Sequence, residues 1–388
     1  MILAALLLPV AVVAIVLLIQ RFGVPAFLAL MAVVVGYGIA ASMTFQSIGK
    51  AFGLGFVAAL EQVGLLVVAG ALVGRMLIKQ PLPGAATALA GAFAGLGGSA
   101  AGGLALLQPA GRAIGLALTL LAVHALVAPS PLAVAAASVV KADIATMVWI
   151  AVPAAIVAAA VGWLLFARDD RGPGRLSLGW LAIAIPIALL IVQSMAQMPS
   201  EPLGKGGARE FYTGISKPLV LAVLAIALAA LLSRRWQPDV LADTSWAPLL
   251  LAVGAAGGFA RVLDETGMAE LLAEHMLDPR LGLLAPFLAA ATVKTMQGNS
   301  LSAVLTASGM VEPMLPALGL DSPTGRALAA ASVGAGSIAI CHVNDPLFWI
   351  AADMAGLAPA RALRLVSLGS LAVAVAALGV LAAASVVL

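Results

Sequence analysis

The chain has 388 residues, of which 63% are hydrophobic and only 10% charged. Soluble domains carry about 25% charge, so a soluble fold of this size is excluded. The net charge is only +3, and the basic residues sit in short loops between apolar runs, where they form no patch for nucleic acid.

Several uncharged runs exceed the roughly 18 residues needed to cross a bilayer. The expected fold is therefore an all-α polytopic membrane protein of about 10–12 transmembrane helices, with re-entrant hairpins, broken helices and an inverted repeat. In chain order the apolar runs fall at 2–19, 24–43, 56–78, 84–107, 111–140, 144–167, 179–196, 217–232, 246–263, 282–316, 326–356 and 361–388. The first lacks a basic n-region and reads as a span, not a cleaved signal peptide. Two runs are too interrupted for plain spans and are expected to be re-entrant hairpins. Residues 84–107 hold Gly95, Gly97, Gly98, Gly102 and Gly103, and residues 326–356 hold a polar cluster. The polar stretch 197–216, with Pro199, Pro202, Gly204, Gly206 and Gly207, reads as a loop near the boundary between two halves, 1–178 and 179–388.

Cytoplasmic loops of membrane proteins carry an excess of Lys and Arg. With the N-terminus outside, Arg21, Arg75, Lys79, Arg112, Arg168, Arg171, Arg175, Arg234, Arg235, Arg326, Arg361 and Arg364 fall inside. Lys50, Lys141, Lys205, Arg209, Lys217 and Arg280 fall outside. The bias supports ten spans, two hairpins and both termini outside. Ala128–Ser138 parallels Gly298–Ser308, pairing Ser130 with Ser300, and Gly70–Leu77 parallels Gly257–Leu263. An inverted repeat would put the two copies in opposite orientations.

Three polar islands interrupt the apolar chain. In Leu121–Pro131, Pro129 and Pro131 break a helix around Ser130, with His124 just under two turns earlier. A histidine there can bind substrate or merely hold a neighbouring carbonyl. In Thr292–Ser302, Lys294, Gln297, Gly298, Asn299 and Ser300 lie together. A cation at mid-membrane costs about 2.5–3.5 kcal/mol, which an anionic substrate would offset. The break at Gly298–Asn299 also exposes helix-end N–H groups that attract anions. The plainer alternative is a lysine that snorkels and amides that bond helix to helix. In Gly334–Trp349, two glycines precede His342, Asn344 and Asp345, and Pro346 follows. This reads as a helix broken inside the membrane, and irregular backbone is tolerated there only where it is buried or lines a cavity.

Arg261 can clamp a carboxylate or pair with Asp264 or Glu265. Glu61 and Asp143 are further carboxylates able to carry a proton, each near a span end. Gly254, Gly257 and Gly258 lack nucleotide-loop spacing. Three histidines and a single cysteine, Cys341, give no metal site and no intramolecular disulfide. No catalytic Ser-His-Asp arrangement is evident.

Taken together, these islands resemble the gluconate permease (GntP) family, the bacterial gluconate:proton symporters. The closest match is Gly334-Ala-Gly-Ser337, then His342-Val-Asn-Asp345 and Phe348-Trp349. Gly254–Gly267, Gln297-Gly298 and His124-Ala-Leu-Val before Pro129-Ser-Pro131 follow the family order. The resemblance spans roughly residues 50–385 and implies an ion-transporter-superfamily architecture, a scaffold with two half-membrane hairpins. Departures cluster in the binding segments. A Phe-rich, Asp-bearing segment is replaced by Phe93–Leu104, a histidine by Ser130, an arginine by Lys294, and Ser-Ala-Thr by Asn299-Ser300-Leu301.

The function expected is proton-coupled symport of gluconate or a related hydroxycarboxylate across the bacterial inner membrane, by a multi-pass protein and not an enzyme. Lys294, Gln297, Gly298, Asn299, Ser300, Ser130, His124 and Asn344 are the expected substrate contacts, and Asp345 and His342 the proton-coupling pair. The expected partners are a small organic anion, protons and the lipid bilayer, with a homodimer left open and no nucleic acid. No cofactor is expected. The alternatives are a sodium-coupled anion carrier or cation/proton antiporter of the same superfamily, and, from another class, a channel or integral membrane enzyme.

Overall fold

A computed structural model describes residues 2–77, 82–111, 113–166, 177–233, 238–242 and 244–388. Lys79, Arg112, Arg168, Arg171, Arg175, Arg234 and Arg235, counted for sidedness, lie outside them. The described residues are helical throughout, with no strand.

The first half runs α1 (Ile2–Gln20), α2 (Ala26–Ala40), α3 (Phe45–Ala59) and α4 (Leu65–Leu77), the last two joined by a π-turn at Leu60–Gly64. Then come α5 (Gly84–Gly95), α6 (Ala100–Leu106), α7 (Ala113–Leu126), α8 (Pro131–Val139) and α9 (Ile144–Phe166). The second half runs α10 (Leu181–Ala196), α11 (Gly207–Ile215), α12 (Pro218–Ser233), α13 (Pro238–Leu241), α14 (Ala247–Asp264) and α15 (Met268–Glu274). It continues through α16 (Leu284–Gln297), α17 (Ser300–Val311), α18 (Pro323–Gly336), α19 (Pro346–Met354) and α20 (Pro359–Ala362), which passes through a π-turn into α21 (Leu368–Val387).

Among the described residues, six helices are long and apolar enough to cross a membrane, or seven if the bent pair α11–α12 counts as one. The remaining apolar elements are shorter or broken. This is a multi-pass helical membrane protein. Its outward faces are apolar, as lipid requires, for example Leu17, Val57, Trp149 and Val223.

Three expectations change. The stretch 197–216 is not loop throughout, since α11 forms there with no buried residue and packs against α10 and α12. The second hairpin lies at α16–α17, not at 326–356. Helices α16 and α17 pack on each other across the turn at Gly298–Asn299, while α18 and α19 share almost no contact and run on as a broken span. Arg326 consequently moves to the other face. It donates to the Val140 carbonyl at 2.8 Å, beside a 2.7 Å ion pair between Lys141 and Glu312. The ends of α8 and α17 and the start of α18 therefore share one face.

The repeat also aligns differently. Helices α7 and α18 are both 14 residues long, and α8 and α19 both nine, each of the latter opening on proline. The packing of α5 on α7 is matched by α16 on α18, that of α8 on α17 by α19 on α6, and that of α4 on α12 by α14 on α2. Ser130 thus corresponds to Asp345, not Ser300. Helices α3 and α14 cross at Gly55 and Gly257. A Cβ on Gly257 would lie 2.6 Å from the Gly55 carbonyl oxygen, and one on Gly55 would overlap the Gly257 carbonyl. Short runs of small residues match by chance, which is why the sequence pairing misled.

Candidate functional site

Each of the four chain breaks is followed by a capped helix start. Ser99 Oγ accepts from Gly102 N–H before α6, and Ser130 Oγ from Ala133 N–H before α8. Asn299 Oδ1 accepts from Leu301 and Ser302 N–H before α17, and Asp345 Oδ1 from Leu347 N–H before α19. Ser, Asn and Asp are strong caps because a short side-chain oxygen reaches back to these donors. A helix start has four N–H groups without an intrahelical partner. The caps satisfy one or two at each start, and at α19 none is left over, since Pro346 has no N–H and Leu347 and Phe348 both bond Asp345. What all four starts share is the positive end of the helix dipole.

The four starts meet at one cavity of about 370 Å³. Ser99, Pro131, Asn299 and Pro346 all line it. Gly55 and Gly257 form part of its wall, so the close crossing of α3 and α14 also shapes the site.

Lys294 approaches the cavity from α16 and is only 1% exposed. Its ammonium donates to the Gly298 carbonyl at 3.0 Å and to Asp345 Oδ2 at 2.5 Å. The cation is therefore already neutralised by a carboxylate from the other broken element. Asp345 Oδ2 also accepts from Cys341 Sγ at 3.2 Å. The Cys341 backbone is clamped in turn: its N–H donates to Ser370 Oγ, and its carbonyl accepts from Ser367 Oγ in the π-turn before α21. Gly298 has φ +70°, and a Cβ there would strike the Asn344 backbone. This tight crossing lets the α16–α17 tip sit on the 337–345 break.

Seven expected residues line the cavity: Lys294, Gln297, Gly298, Asn299, Ser300, His124 and Asp345. Three do not. Ser130 is fully buried and its hydroxyl donates to the His124 carbonyl. Asn344 donates to the Thr295 and Met296 carbonyls at 3.1 Å, tying the break to α16. His342 Nε2 bonds the same Thr295 carbonyl at 2.8 Å. His342 Nδ1 and Asn344 Oδ1 are buried with no partner among the described residues. His124 Nδ1 lies 2.8 Å from the Gly95 carbonyl, which can only accept, so the proton sits on Nδ1.

Arg261 lines the cavity wall and is paired with Asp264 at 2.9 Å and Glu265 at 2.6 Å. Asp143 stays outside the cavity. The Thr146 N–H and hydroxyl cap its carboxylate at 2.7 Å each and hold its pKa below the usual carboxylate value. Glu61 is exposed in the first π-turn. Sequence reasoning missed Ser99, Ser302 and Glu270. Ser99 was legible as a cap after two glycines. Glu270 was not, because α15 reaches Gln297 only through the fold.

A family model described as GntP family permease matches residues 2–107 and 167–387. The unmatched interval contains His124 and Ser130. The D-serine transporter DsdX of Escherichia coli O6:H1 (strain CFT073) is 26% identical over 275 residues, covering 63% of this chain and 61% of that transporter. The chain thus spans less than two thirds of that relative's length. The inner membrane permease YgbN of Escherichia coli (strain K12) is 26% identical, with 91% of this chain and 92% of that protein covered. The gluconate permease of Pseudomonas aeruginosa PAO1 is 26% identical with 88% of each covered.

Proposed function

The chain belongs to the GntP family of permeases, and from that premise we propose that it carries a hydroxylated monocarboxylate such as gluconate across the bacterial inner membrane together with a proton. The observation that carries this reading is the meeting of four helix starts and the Lys294–Asp345 pair at one cavity. Helix starts favour anions, and the volume falls within the roughly 300–1,000 Å³ range of small-molecule sites. The names of the relatives support the substrate class and the membrane, a gluconate permease and an inner membrane permease among them.

The pair suggests a coupling route. Lys294 has one carboxylate partner in this conformation. A proton arriving on Asp345 neutralises that carboxylate and leaves the ammonium without a counter-ion. The substrate carboxylate then takes its place, helped by the positive dipole ends of α17 and α19. Release of the anion returns Lys294 to Asp345 and expels the proton. One proton moves with one monoanion, so the cycle is electrically neutral.

Gln297, Gly298, Asn299, Ser300 and His124 are the remaining substrate contacts in this proposal. Ser130, Asn344 and His342, whose donors are spent on backbone carbonyls, hold the breaks in shape.

The test is gluconate uptake into proteoliposomes. Wild-type protein should concentrate gluconate under an inward proton gradient, and a sodium gradient alone should not drive it. Asp345→Asn keeps the cap but cannot titrate. It should lose proton-driven accumulation and retain gluconate exchange without a gradient. Accumulation by Asp345→Asn equal to wild type would remove Asp345 from the coupling role.

A further inference from the structure

Glu270 on α15 does not line the cavity, yet it sets the polarity of a group that does. Gln297 Nε2 donates to Glu270 Oε1 at 2.8 Å, and Ser302 Oγ donates to Gln297 Oε1 at 2.6 Å. Gln297 is 2% exposed, and both Gln297 and Ser302 line the cavity. The second oxygen, Glu270 Oε2, is buried with no partner among the described residues, so the Gln297 amide is the donor this carboxylate receives.

The direction of this chain follows from what each group can do. A carboxylate only accepts, so it holds the Gln297 amide with its NH₂ toward Glu270. The Gln297 carbonyl must then face Ser302. A serine hydroxyl has one proton, and here it is given to that carbonyl. Ser302 can therefore offer the cavity only lone pairs. It can accept from a substrate hydroxyl but cannot donate to a second carboxylate.

We infer that Glu270, through Gln297, fixes Ser302 as a hydroxyl acceptor and so selects hydroxylated monocarboxylates over their deoxy counterparts. Glu270 is a positioning residue here. The inference rests on the hydroxycarboxylate reading above and names Ser302 as the hydroxyl-reading group of the cavity.

The experiment is calorimetric binding of gluconate and hexanoate, six-carbon acids with and without hydroxyls, to the purified full chain. Wild type should prefer gluconate. In Glu270→Gln the new amide can turn, the chain can reverse, and Ser302 is no longer held as an acceptor. That variant should lose about 5–10-fold of the preference, the size of one neutral hydrogen bond, with hexanoate binding unchanged. Glu270→Asp, which keeps the charge, should retain part of it. Ser302→Ala should lose a similar factor, and the double variant should be no worse than Ser302→Ala alone, because the two act on one contact. This arm stands even if Glu270→Gln does not fold. Equal weakening of both ligands in Glu270→Gln, or an unchanged preference in Ser302→Ala, would overturn the inference while leaving the transport reading intact. Wild-type protein that binds no gluconate would sink both.

Discussion

A buried ammonium is costly unless a counter-charge shares its site, and Lys294 has one in Asp345. This changes what truncation should do. Lys294→Ala leaves the Asp345 carboxylate buried without its cation, and breaking a buried pair costs about 3–5 kcal/mol. The expected result is a large fall in melting temperature in addition to lost uptake. Replacing both partners by apolar residues, Lys294→Met with Asp345→Leu, should recover most of the thermal stability and none of the transport. A thermal melt paired with gluconate uptake on the three proteins decides it. A single alanine variant that melts like wild type would mean that water reaches the pair and screens it.

At the level of elements, the two hairpins and two broken spans depend on backbone approaching backbone. Gly298 combines a left-handed φ with contact against the Asn344 backbone. Gly298→Ala should therefore push the α16–α17 tip off the 337–345 break, moving Lys294 relative to Asp345. Fluorimetry should show a lowered melting temperature, and gluconate binding should weaken more than the stability loss alone predicts. Gly309, on the same hairpin, has open space where a Cβ would stand. Gly309→Ala should leave both readings close to wild type, since alanine is the better helix former. Equal effects at the two positions would count against a specific role for the tip.

At the scale of the whole molecule, moving the second hairpin from 326–356 to α16–α17 redraws one side of the map. Lys141, Glu312 and Asp321 now share a face, and Arg364 belongs to the opposite one under the positive-inside assignment. In a Cys341→Ser background, Lys141→Cys and Asp321→Cys should react with an impermeant maleimide from the same side of a sealed vesicle. Arg364→Cys should react from the other. Labelling of positions 141 and 321 from opposite sides would contradict the hairpin assignment.

The apolar runs, the helix breakers and the caps are local properties, so the sequence alone determined that this is a helical membrane protein. It also located the breaks at Pro129–Pro131, Gly298–Asn299 and His342–Asp345, and the polar residues worth attention. Whether a broken run folds back or continues across the membrane depends on which halves pack together. No short stretch encodes that, and 282–316 and 326–356 were exchanged for this reason. The partner that satisfies each buried polar group was equally out of reach. Lys294 and Asp345 are 51 positions apart, and Glu270 and Gln297 are 27 apart. Only the tertiary structure turned Ser130, Asn344 and His342 inward to backbone carbonyls and brought Glu270 to the site, because a buried donor or acceptor takes whichever partner the packing presents.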